Sequence, residues 1–237
     1  MVQNSTRIQQ QPIDILDSSS QKFNTLLCLD GTLPSSKDFF DFFLDSPIIA
    51  ADGAAIQLQR FGISPNFIIG DLDSFRLLAE ESDFPHSTII HNPDQESNDF
   101  EKCLIFCQEK GLTNIIVSGF HGGLAEHSLN NWSVLMRHSQ MLNICVYEKG
   151  RYAVPLRKSV VFSATNQEII SIIPQPKARL TTLGLQWDLQ NEILELGVRE
   201  GARNRAINET VSIEILEGEI LLFSDAHLPF IPLMLSS

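Results

Sequence analysis

The sequence lacks the features that mark secreted, zinc-structured or membrane-spanning proteins. Its 237 residues include four cysteines, and no two of them form a CxxC pair, which argues against structural zinc and fits reduced thiols in a cytoplasm. No apolar run approaches the length of a membrane span, and the N-terminus lacks the basic-then-apolar pattern of a signal peptide. We therefore expect a cytoplasmic protein with no membrane partner.

Positive charge is also scarce. The chain has 17 Lys and Arg against 29 Asp and Glu, a formal net charge of −12. It therefore offers no basic stripe to neutralise a phosphate backbone, which argues against a nucleic-acid partner. The charge is compatible with a nucleotide such as ATP, because Mg²⁺ brings positive charge of its own to such a site.

Strand-like and helix-like segments alternate up to about residue 150. This alternation predicts an α/β fold, with a mainly parallel sheet flanked by helices. The predicted strands lie near 23–30, 47–52, 66–70, 87–91, 114–118 and 142–147, and the predicted helices near 36–44, 54–61, 98–111 and 126–140.

Proline and glycine punctuate short β-like runs after residue 150, a spacing that predicts a small antiparallel β-sandwich or barrel. Gly218 lies between two such runs and predicts a tight hairpin. The Gln- and Ser-rich start of the chain is typical of a flexible tail. We therefore predict a tail over residues 1–20, an α/β domain over 21–150 and an all-β domain over 151–237.

The most informative stretch is residues 68–74, IIGDLDS, where a buried-strand pattern runs into two carboxylates, Asp71 and Asp73. Ligands of α/β sheets gather at the carboxyl ends of such strands. Two carboxylates this close repel each other unless a cation neutralises them, and Mg²⁺ prefers carboxylates plus phosphate oxygens. A polar turn that closes a strand uses the same residue types, so this segment alone leaves both interpretations open.

A second acidic cluster, residues 94–102 (DQESNDFEK), follows another β-like run. Its serine and asparagine can cap a helix, and Asp99 in the first helical turn is favoured for helix stability alone. Asp94 and Gln95 have only ordinary loop polarity as an alternative explanation. Lys102, one turn later, can neutralise a carboxylate or reach a phosphate.

Two further strand ends carry small and polar residues. Asp52 and the glycine after it follow an apolar run, and small residues at such a turn let a ligand approach closely. Gly122 and Gly123 follow another apolar run, where backbone N–H groups can bind a phosphate. Neither a Walker nor a Rossmann spacing is met. Each motif is weak alone, but the four together indicate a phosphate site.

In this order, the motifs resemble the thiamine pyrophosphokinase family over roughly residues 25–225. The matching elements are ADGA at 51–54, GDLDS at 70–74, DQ at 94–95 with NDFEK at 98–102, GG at 122–123 with His127, and GLQWDL at 184–189.

The resemblance implies an ATP-dependent diphosphotransferase, which moves pyrophosphate from ATP to the hydroxyethyl group of thiamine to give thiamine diphosphate and AMP. It implies Mg²⁺ held by Asp71, Asp73 and Asp99. It also implies a homodimer with sites at the subunit interface, because the family's matching tryptophan, Trp187 here, stacks on the thiamine pyrimidine in the other subunit's site. A Trp buried in a β core is the alternative.

The same resemblance distributes the remaining roles, with 151–237 as the thiamine-binding domain. An ordinary surface histidine is an equally good interpretation of His127. Asp52 has a similar alternative, in which it only closes its turn. The implied catalytic residues are Asp71, Asp73, Asp94 and Asp99; the implied nucleotide and phosphate ligands are Gln95, Lys102, Gly122, Gly123, His127 and Asn130; the implied thiamine ligands are Asp52, Trp187 and Asn204.

The chain departs from the family pattern at several positions. Leu124 and Glu126 stand where the family usually has Arg and Asp, Asn98 where it has Thr, and Arg203 within a late Ser- and Asn-rich element. Leu cannot replace the bidentate donors of an Arg beside a triphosphate. Two alternatives therefore stay open: a pyrophosphokinase for another heterocyclic alcohol, such as a hydroxymethylpterin, and a non-catalytic homologue that binds nucleotide or thiamine.

Overall fold

The computed structural model describes residues 22–232 and 235–236, so the predicted tail over residues 1–20 lies outside the described residues. The strands are β1 (Thr25–Cys28), β2 (Ile48–Ala51), β3 (Phe67–Gly70), β4 (Thr88–His91), β5 (Asn114–Ser118), β6 (Asn143–Glu148), β7 (Arg151–Leu156), β8 (Val160–Ser163), β9 (Ile169–Leu183), β10 (Glu192–Glu195), β11 (Gly201–Arg205), β12 (Thr210–Asp225) and β13 (Leu235–Ser236). The helices are α1 (Lys37–Asp41), α2 (Ala54–Arg60), α3 (Asp73–Leu78), α4 (Asp99–Lys110) and α5 (Ala125–His138), with a 3₁₀ turn at Glu81–Asp83.

The first six strands form the parallel part of the sheet, in the order β4-β3-β2-β1-β5-β6. β1 pairs with both β2 and β5, so successive strands are added on one side of β1 up to β4 and on the other side from β5 onward. Such a reversal is a topological switch point, and α/β sheets bind ligands outside the carboxyl ends of their strands there.

Both faces of β1 are buried, which explains its continuous apolar run. Leu26 and Cys28 pack into the core cluster that contains residues of α1 and α2, whereas Leu27 packs into the cluster that contains residues of α4 and α5. All four cysteines of the chain are buried and free. Across the part of the chain that the structure describes, no helix combines the length and apolar content needed to cross a membrane.

The strand-rich second part begins with β7, which pairs antiparallel with β6 and so continues the same sheet. The long strands β9 and β12 pair along most of their length, and β8, β10 and β11 pair antiparallel with one or other of them. A third core cluster, which includes Ile170, Leu180 and Ile213, fills this part. An α/β part followed by a strand-rich antiparallel part confirms the predicted fold class.

Two local expectations differ from the structure. The hairpin predicted at Gly218 is wrong, because β12 runs continuously through it with register shifts on either side. Gly218 is needed instead for close approach, since a side chain there would collide with the Lys177 carbonyl oxygen of β9. The sequence also does not predict α3, whose six residues are too few for a helical periodicity to show.

Candidate active site

The carboxyl ends of the central strands border a cavity of about 640 Å³. An aspartate follows each of β1, β2 and β3, and a fourth begins α4; these four line the cavity, as Asp30, Asp52, Asp71 and Asp99. Carboxylate oxygens of Asp52, Asp71 and Asp99 lie within 4.8 Å of one another. The sheet topology thus brings together side chains up to 47 positions apart in the sequence, since parallel strands end at one edge.

Asp52 is held rigidly in this group. It has a positive φ of 44° and is 6% exposed. Its two carboxylate oxygens accept the backbone N–H groups of Ser74 at 3.1 Å and Phe75 at 2.9 Å. The carboxylate therefore stabilises the start of α3 while it faces the other two acids. It has this role in folding whether or not it also binds a ligand.

The turn between β3 and α3 separates the two aspartates of the GDLDS motif. The residue between them, Leu72, is fully buried in a left-handed conformation with a φ of 65°, which is uncommon for a bulky side chain. α3 begins at Asp73, whose backbone N–H donates to Asp71 Oδ1 at 3.2 Å. Asp71 joins the carboxylate group, whereas the Asp73 carboxylate is exposed and does not belong to it.

The glycine of the motif makes this convergence possible. A Cβ on Gly70 would lie 3.1 Å from the Asp52 Cβ and 3.1 Å from the Asp99 carboxyl carbon, tighter than ordinary contact. Any side chain at this position would push the carboxylates of the two neighbouring elements apart.

Lys102 is the cation of the group. It is 4% exposed, and its ammonium lies 3.0 Å from Asp99 Oδ1, one turn back on α4. Burial raises the pKa of the Asp99 carboxyl, and the Lys102 ammonium offsets part of this rise. Asn98 caps α4 by accepting the backbone N–H of Glu101 at 2.9 Å, so the start of α4 is fixed at the edge of the cavity.

Asp30 is a site residue that the sequence analysis misses. Its Oδ1 accepts from the Gln57 side chain at 2.9 Å, and Gln57 also donates to the Gly31 carbonyl at 3.0 Å. Burial raises the pKa of the Asp30 carboxyl, against the lowering effect of the Gln57 hydrogen bond. The signal was available, because Asp30-Gly31 after β1 repeats the pattern of the Asp-Gly pair after β2.

Residues at the start of α5 and in the loop before α4 also line the cavity. The predicted nucleotide ligands Gly123, His127, Asn130 and Gln95 line it together with Lys102.

Gly122 and Asp94 do not line the cavity. Gly122 packs against Thr32, where any side chain would collide. Asp94 is exposed and organises its own loop, because it accepts from the Ser97 hydroxyl and from the Glu96 backbone N–H. The Ser97 hydrogen bond makes the largest contribution to lowering the pKa of the Asp94 carboxyl.

The predicted thiamine ligands of the second part lie away from this cavity. Trp187 is 59% exposed in the turn between β9 and β10, so it is not a core tryptophan. Asn204 of β11 holds that turn, since it accepts the Trp187 backbone N–H at 3.2 Å and donates to the Trp187 carbonyl at 2.8 Å. Neither residue lines the acidic cavity.

Two family models match the chain over most of its length. The model described as "Thiamin pyrophosphokinase, catalytic domain" matches residues 44–146, and "Thiamin pyrophosphokinase, vitamin B1 binding domain" matches residues 158–219. Together they cover more than half of the chain. The first model contains Asp52, Asp71 and Asp99, and the second contains the exposed tryptophan.

Curated relatives and solved structures carry the same name. Thiamine pyrophosphokinase 1 of Arabidopsis thaliana is 26% identical in a match that covers 84% of this chain and 80% of the relative. Thiamin pyrophosphokinase 1 of Caenorhabditis elegans is 27% identical in a match that covers 74% of this chain and 77% of the relative. The thiamin pyrophosphokinase structure from Geobacillus thermodenitrificans has a TM-score of 0.72 at 19% identity, over 87% of this chain and 99% of that one. The yeast structure has a TM-score of 0.71 at 20% identity, over 86% of each chain; at these identities the structures show a shared fold.

Proposed function

Because the chain belongs to the thiamine pyrophosphokinase family, we propose that it transfers the pyrophosphoryl group of ATP to the hydroxyethyl group of thiamine. The products are thiamine diphosphate and AMP. The observation that carries this proposal is the convergence of Asp52, Asp71 and Asp99 beside the buried Lys102. Phosphoryl-type transfers depend mainly on positioning and on neutralisation of phosphate charge, and a group of fixed carboxylates can recruit the cations for both.

The donor set fits Mg²⁺, which prefers carboxylate oxygens at a site it shares with phosphates. The three carboxylates offer oxygens close enough to be shared by one ion, and Asp52 is fixed by its two backbone hydrogen bonds. Bound Mg²⁺ would supply positive charge that neutralises the phosphate oxygens and stabilises the leaving group. Asp71, Asp52 and Asp99 are our proposed ligands, and Asp73 stays a predicted one that requires its own test.

The chain's own residues hold and orient the nucleotide. Lys102 holds the Asp99 carboxylate at the cavity, because its ammonium is buried 3.0 Å from Asp99 Oδ1. Its charge offsets part of the rise that burial causes in the pKa of Asp99. The side chains of Gln95 and Asn130 and the backbone at Gly123 can donate hydrogen bonds to phosphate oxygens. Asp94 and Gly122 would act on this site indirectly, by shaping the loops that carry these donors.

The acceptor side of the proposal uses the second part of the chain. Trp187 presents an exposed indole that Asn204 holds in place, and an aromatic face attracts a cationic planar ligand such as thiamine. Neither residue lines the acidic cavity of its own chain. We therefore propose a homodimer in which Trp187 of one subunit completes the site of the other.

The test is a mass-resolved turnover assay with purified protein, ATP, Mg²⁺ and thiamine, in which thiamine diphosphate and AMP are followed together. We expect equal amounts of both products. ADP with thiamine monophosphate would contradict pyrophosphoryl transfer. Turnover only with another heterocyclic alcohol would change the acceptor, and the exposed Leu124 at the cavity rim is the first residue to examine then.

Subunit mixing tests the dimer. In a mixture of Trp187→Ala and Asp71→Asn chains, each mixed dimer regains one intact site, so about a quarter of wild-type activity should return at low thiamine concentration. No recovery after verified exchange of subunits would mean that Trp187 serves its own subunit or no site at all.

A cytoplasmic location stays a prediction from the sequence, to be checked by fractionation.

A further inference from the structure

The loop after β5 brings a histidine to the acidic cavity, and the proposed chemistry leaves this residue without a role. His121 lines the cavity, and the glycines on either side of Phe120 and His121 have positive φ angles, 74° at Gly119 and 126° at Gly122. The His121 carbonyl accepts the backbone N–H of Thr32 at 2.5 Å. The backbone of this residue is therefore fixed at the cavity by contacts that do not depend on its side chain.

Glu148, the last residue of β6, holds the imidazole ring of His121. Its Oε2 lies 2.5 Å from His121 Nδ1. The ring also packs against Trp132 of α5, with centroids 5.7 Å apart, and against Phe120, at 5.3 Å. An ionised carboxylate only accepts hydrogen bonds, so Nδ1 donates, and the neutral ring keeps its lone pair on Nε2. Because the His121 side chain is 38% exposed, a molecule bound in the cavity can reach the ring.

Most other titratable groups of the cavity are committed to other contacts. The three grouped carboxylates are our proposed Mg²⁺ ligands, and the Lys102 ammonium is bound to one of them. Asp30 accepts from the Gln57 side chain. His127 also lines the cavity, but no carboxylate lies within ion-pair distance of it in the described part of the chain. Of these groups, His121 is therefore the one whose orientation and chemistry suit it to accept a proton.

We propose that His121 is the general base that removes the proton of the acceptor hydroxyl, and that Glu148 is the residue that positions it. This inference rests on the proposed function, because the acceptor is the hydroxyethyl group of thiamine, and it adds the group that takes the proton. A base placed on the reacting proton contributes about 10²- to 10⁴-fold to a rate. The Glu148 carboxylate orients the imidazole and stabilises the imidazolium that forms.

The hydroxyl proton moves to His121 Nε2 as the alcohol oxygen forms its bond to the β-phosphorus of ATP. The bond from this phosphorus to the oxygen that bridges to the α-phosphorus breaks, and AMP leaves with the electron pair of that bond. The β- and γ-phosphoryl groups stay together on the acceptor oxygen, which gives thiamine diphosphate. The proton then passes from Nε2 to solvent, to which the partly exposed ring has access.

A histidine-to-glutamine substitution tests the base. His121→Gln keeps a polar side chain of similar size that cannot take up a proton. We expect the single-turnover rate of thiamine diphosphate formation to fall about 10²-fold, with the KM values for ATP and thiamine within about threefold of wild type. His86→Gln is the matched control, because His86 is exposed in the turn before β4 and does not line the cavity. Its rate should equal that of wild type.

The outcomes of this test separate the base from the reaction. Wild-type protein that forms no thiamine diphosphate would refute the proposed function, and the role of His121 with it. If wild type is active and His121→Gln, shown to be folded by thermal melts, turns over at an unchanged rate, this inference alone is overturned.

Glu148→Gln tests the positioning role. The single variant should lower the single-turnover rate about ten- to a hundredfold. In the His121→Gln background the same substitution should change the rate less than about twofold, because Glu148 acts through the imidazole. Equal losses in both backgrounds would mean that Glu148 acts independently of His121, which would overturn its assignment.

Nitrogen NMR of the full chain reports the state of the ring without turnover. In ¹⁵N-labelled wild type under mildly alkaline conditions, the imidazole resonances that disappear in His121→Gln should show a neutral ring protonated on Nδ1. Glu148→Gln should shift the ring towards protonation on Nε2, because the hydrogen bond at one nitrogen decides which nitrogen carries the proton. A proton on Nε2 in the neutral ring of wild type would overturn the inference, since that nitrogen could not then accept the hydroxyl proton.

Discussion

The Asp52 carboxylate accepts the backbone N–H of Phe75 at 2.9 Å, across 23 residues of sequence. Its second oxygen accepts from Ser74 at 3.1 Å. One side chain thus ties the end of β2 to the first turn of α3 and also belongs to the carboxylate group with Asp71 and Asp99. Its role in folding can be separated from its role in chemistry by comparing the activity and Tm of variants at Asp52 with those of variants at the neighbouring acids.

The three acids of the motifs should therefore differ in a defined order. Asp71→Asn should lower kcat/KM by about 10²-fold or more through weaker metal binding, with little change in Tm. Asp52→Asn should lower activity similarly and also cost about 1 kcal/mol of stability, because the amide NH₂ that replaces one carboxylate oxygen cannot accept the backbone N–H bound there. Turnover and thermal melts on the same preparations measure both effects.

Asp73→Asn should lower activity tenfold or less, since the Asp73 carboxylate is exposed outside the group. The same turnover assay, titrated with Mg²⁺, provides the measurement. A loss as large as that of Asp71→Asn, reversed by high Mg²⁺, would place Asp73 among the metal ligands, as the sequence predicts.

Lys102→Met should be costly in both stability and activity. The substitution leaves the Asp99 carboxylate without its ammonium partner at 3.0 Å, and a buried charge that loses its partner is destabilising, by about 2 kcal/mol for this partly exposed acid. We expect about 10²-fold lower kcat/KM for ATP. Lys110→Met is the matched control, because Lys110 is exposed at the end of the same helix. Equal activities of the two variants would remove Lys102 from the site.

Trp187→Ala should raise the KM for thiamine about ten- to a hundredfold through loss of aromatic contact, and should leave the KM for ATP unchanged. Because the indole is exposed, the Tm should not fall. Asn204→Ala should act in the same direction more weakly, since it frees the turn that carries Trp187. Isothermal titration with thiamine and steady-state kinetics measure these effects. An unaltered thiamine affinity in Trp187→Ala would exclude stacking.

Glu101 should make stability depend on pH through the contact between α4 and α5. It accepts from Arg137 Nη1 at 2.5 Å and lies 2.9 Å from His138 Nε2. Burial alone would raise the pKa of Glu101, but the His138 hydrogen bond and the Arg137 charge outweigh it, so the folded-state pKa is lowered. Its stabilisation is therefore present above the unfolded-state value of about 4.3 and is lost as the pH falls through the lower folded-state pKa.

Glu101→Gln should accordingly lower Tm by a few degrees at pH 7, with the difference disappearing towards about pH 3. Thermal melts between these pH values measure it. Glu109→Gln, an exposed position on the same helix, should not change Tm at any pH. If the lower Tm of Glu101→Gln persists unchanged at acidic pH, side-chain packing and not charge stabilises the contact between α4 and α5.

Much of the α/β part could be predicted because its signals are local. The apolar run that ends at Ile69 indicates a buried strand, and the Gly-Asp pair that follows indicates its turn. Asn98 and Gly111 mark the two ends of α4, and the structure has them as its N-cap and its left-handed C-cap. Gly218 shows the limit of such signals, since a glycine required for close approach in a bulge looks the same in sequence as one required in a hairpin turn.

The sequence by itself determined the order of strands and helices, the position of the acidic turns and, through the combination of those turns, the family. Only the tertiary structure decided which acids meet. Asp52 and Asp71 come together because parallel strands end at one edge, whereas Asp73 turns away because Leu72 is buried in a left-handed conformation. Asp30 belongs to the site for the same topological reason, because β1 lies at the switch point. Spatial proximity across a sheet depends on strand order, and strand order is set by packing between distant segments that no local pattern records.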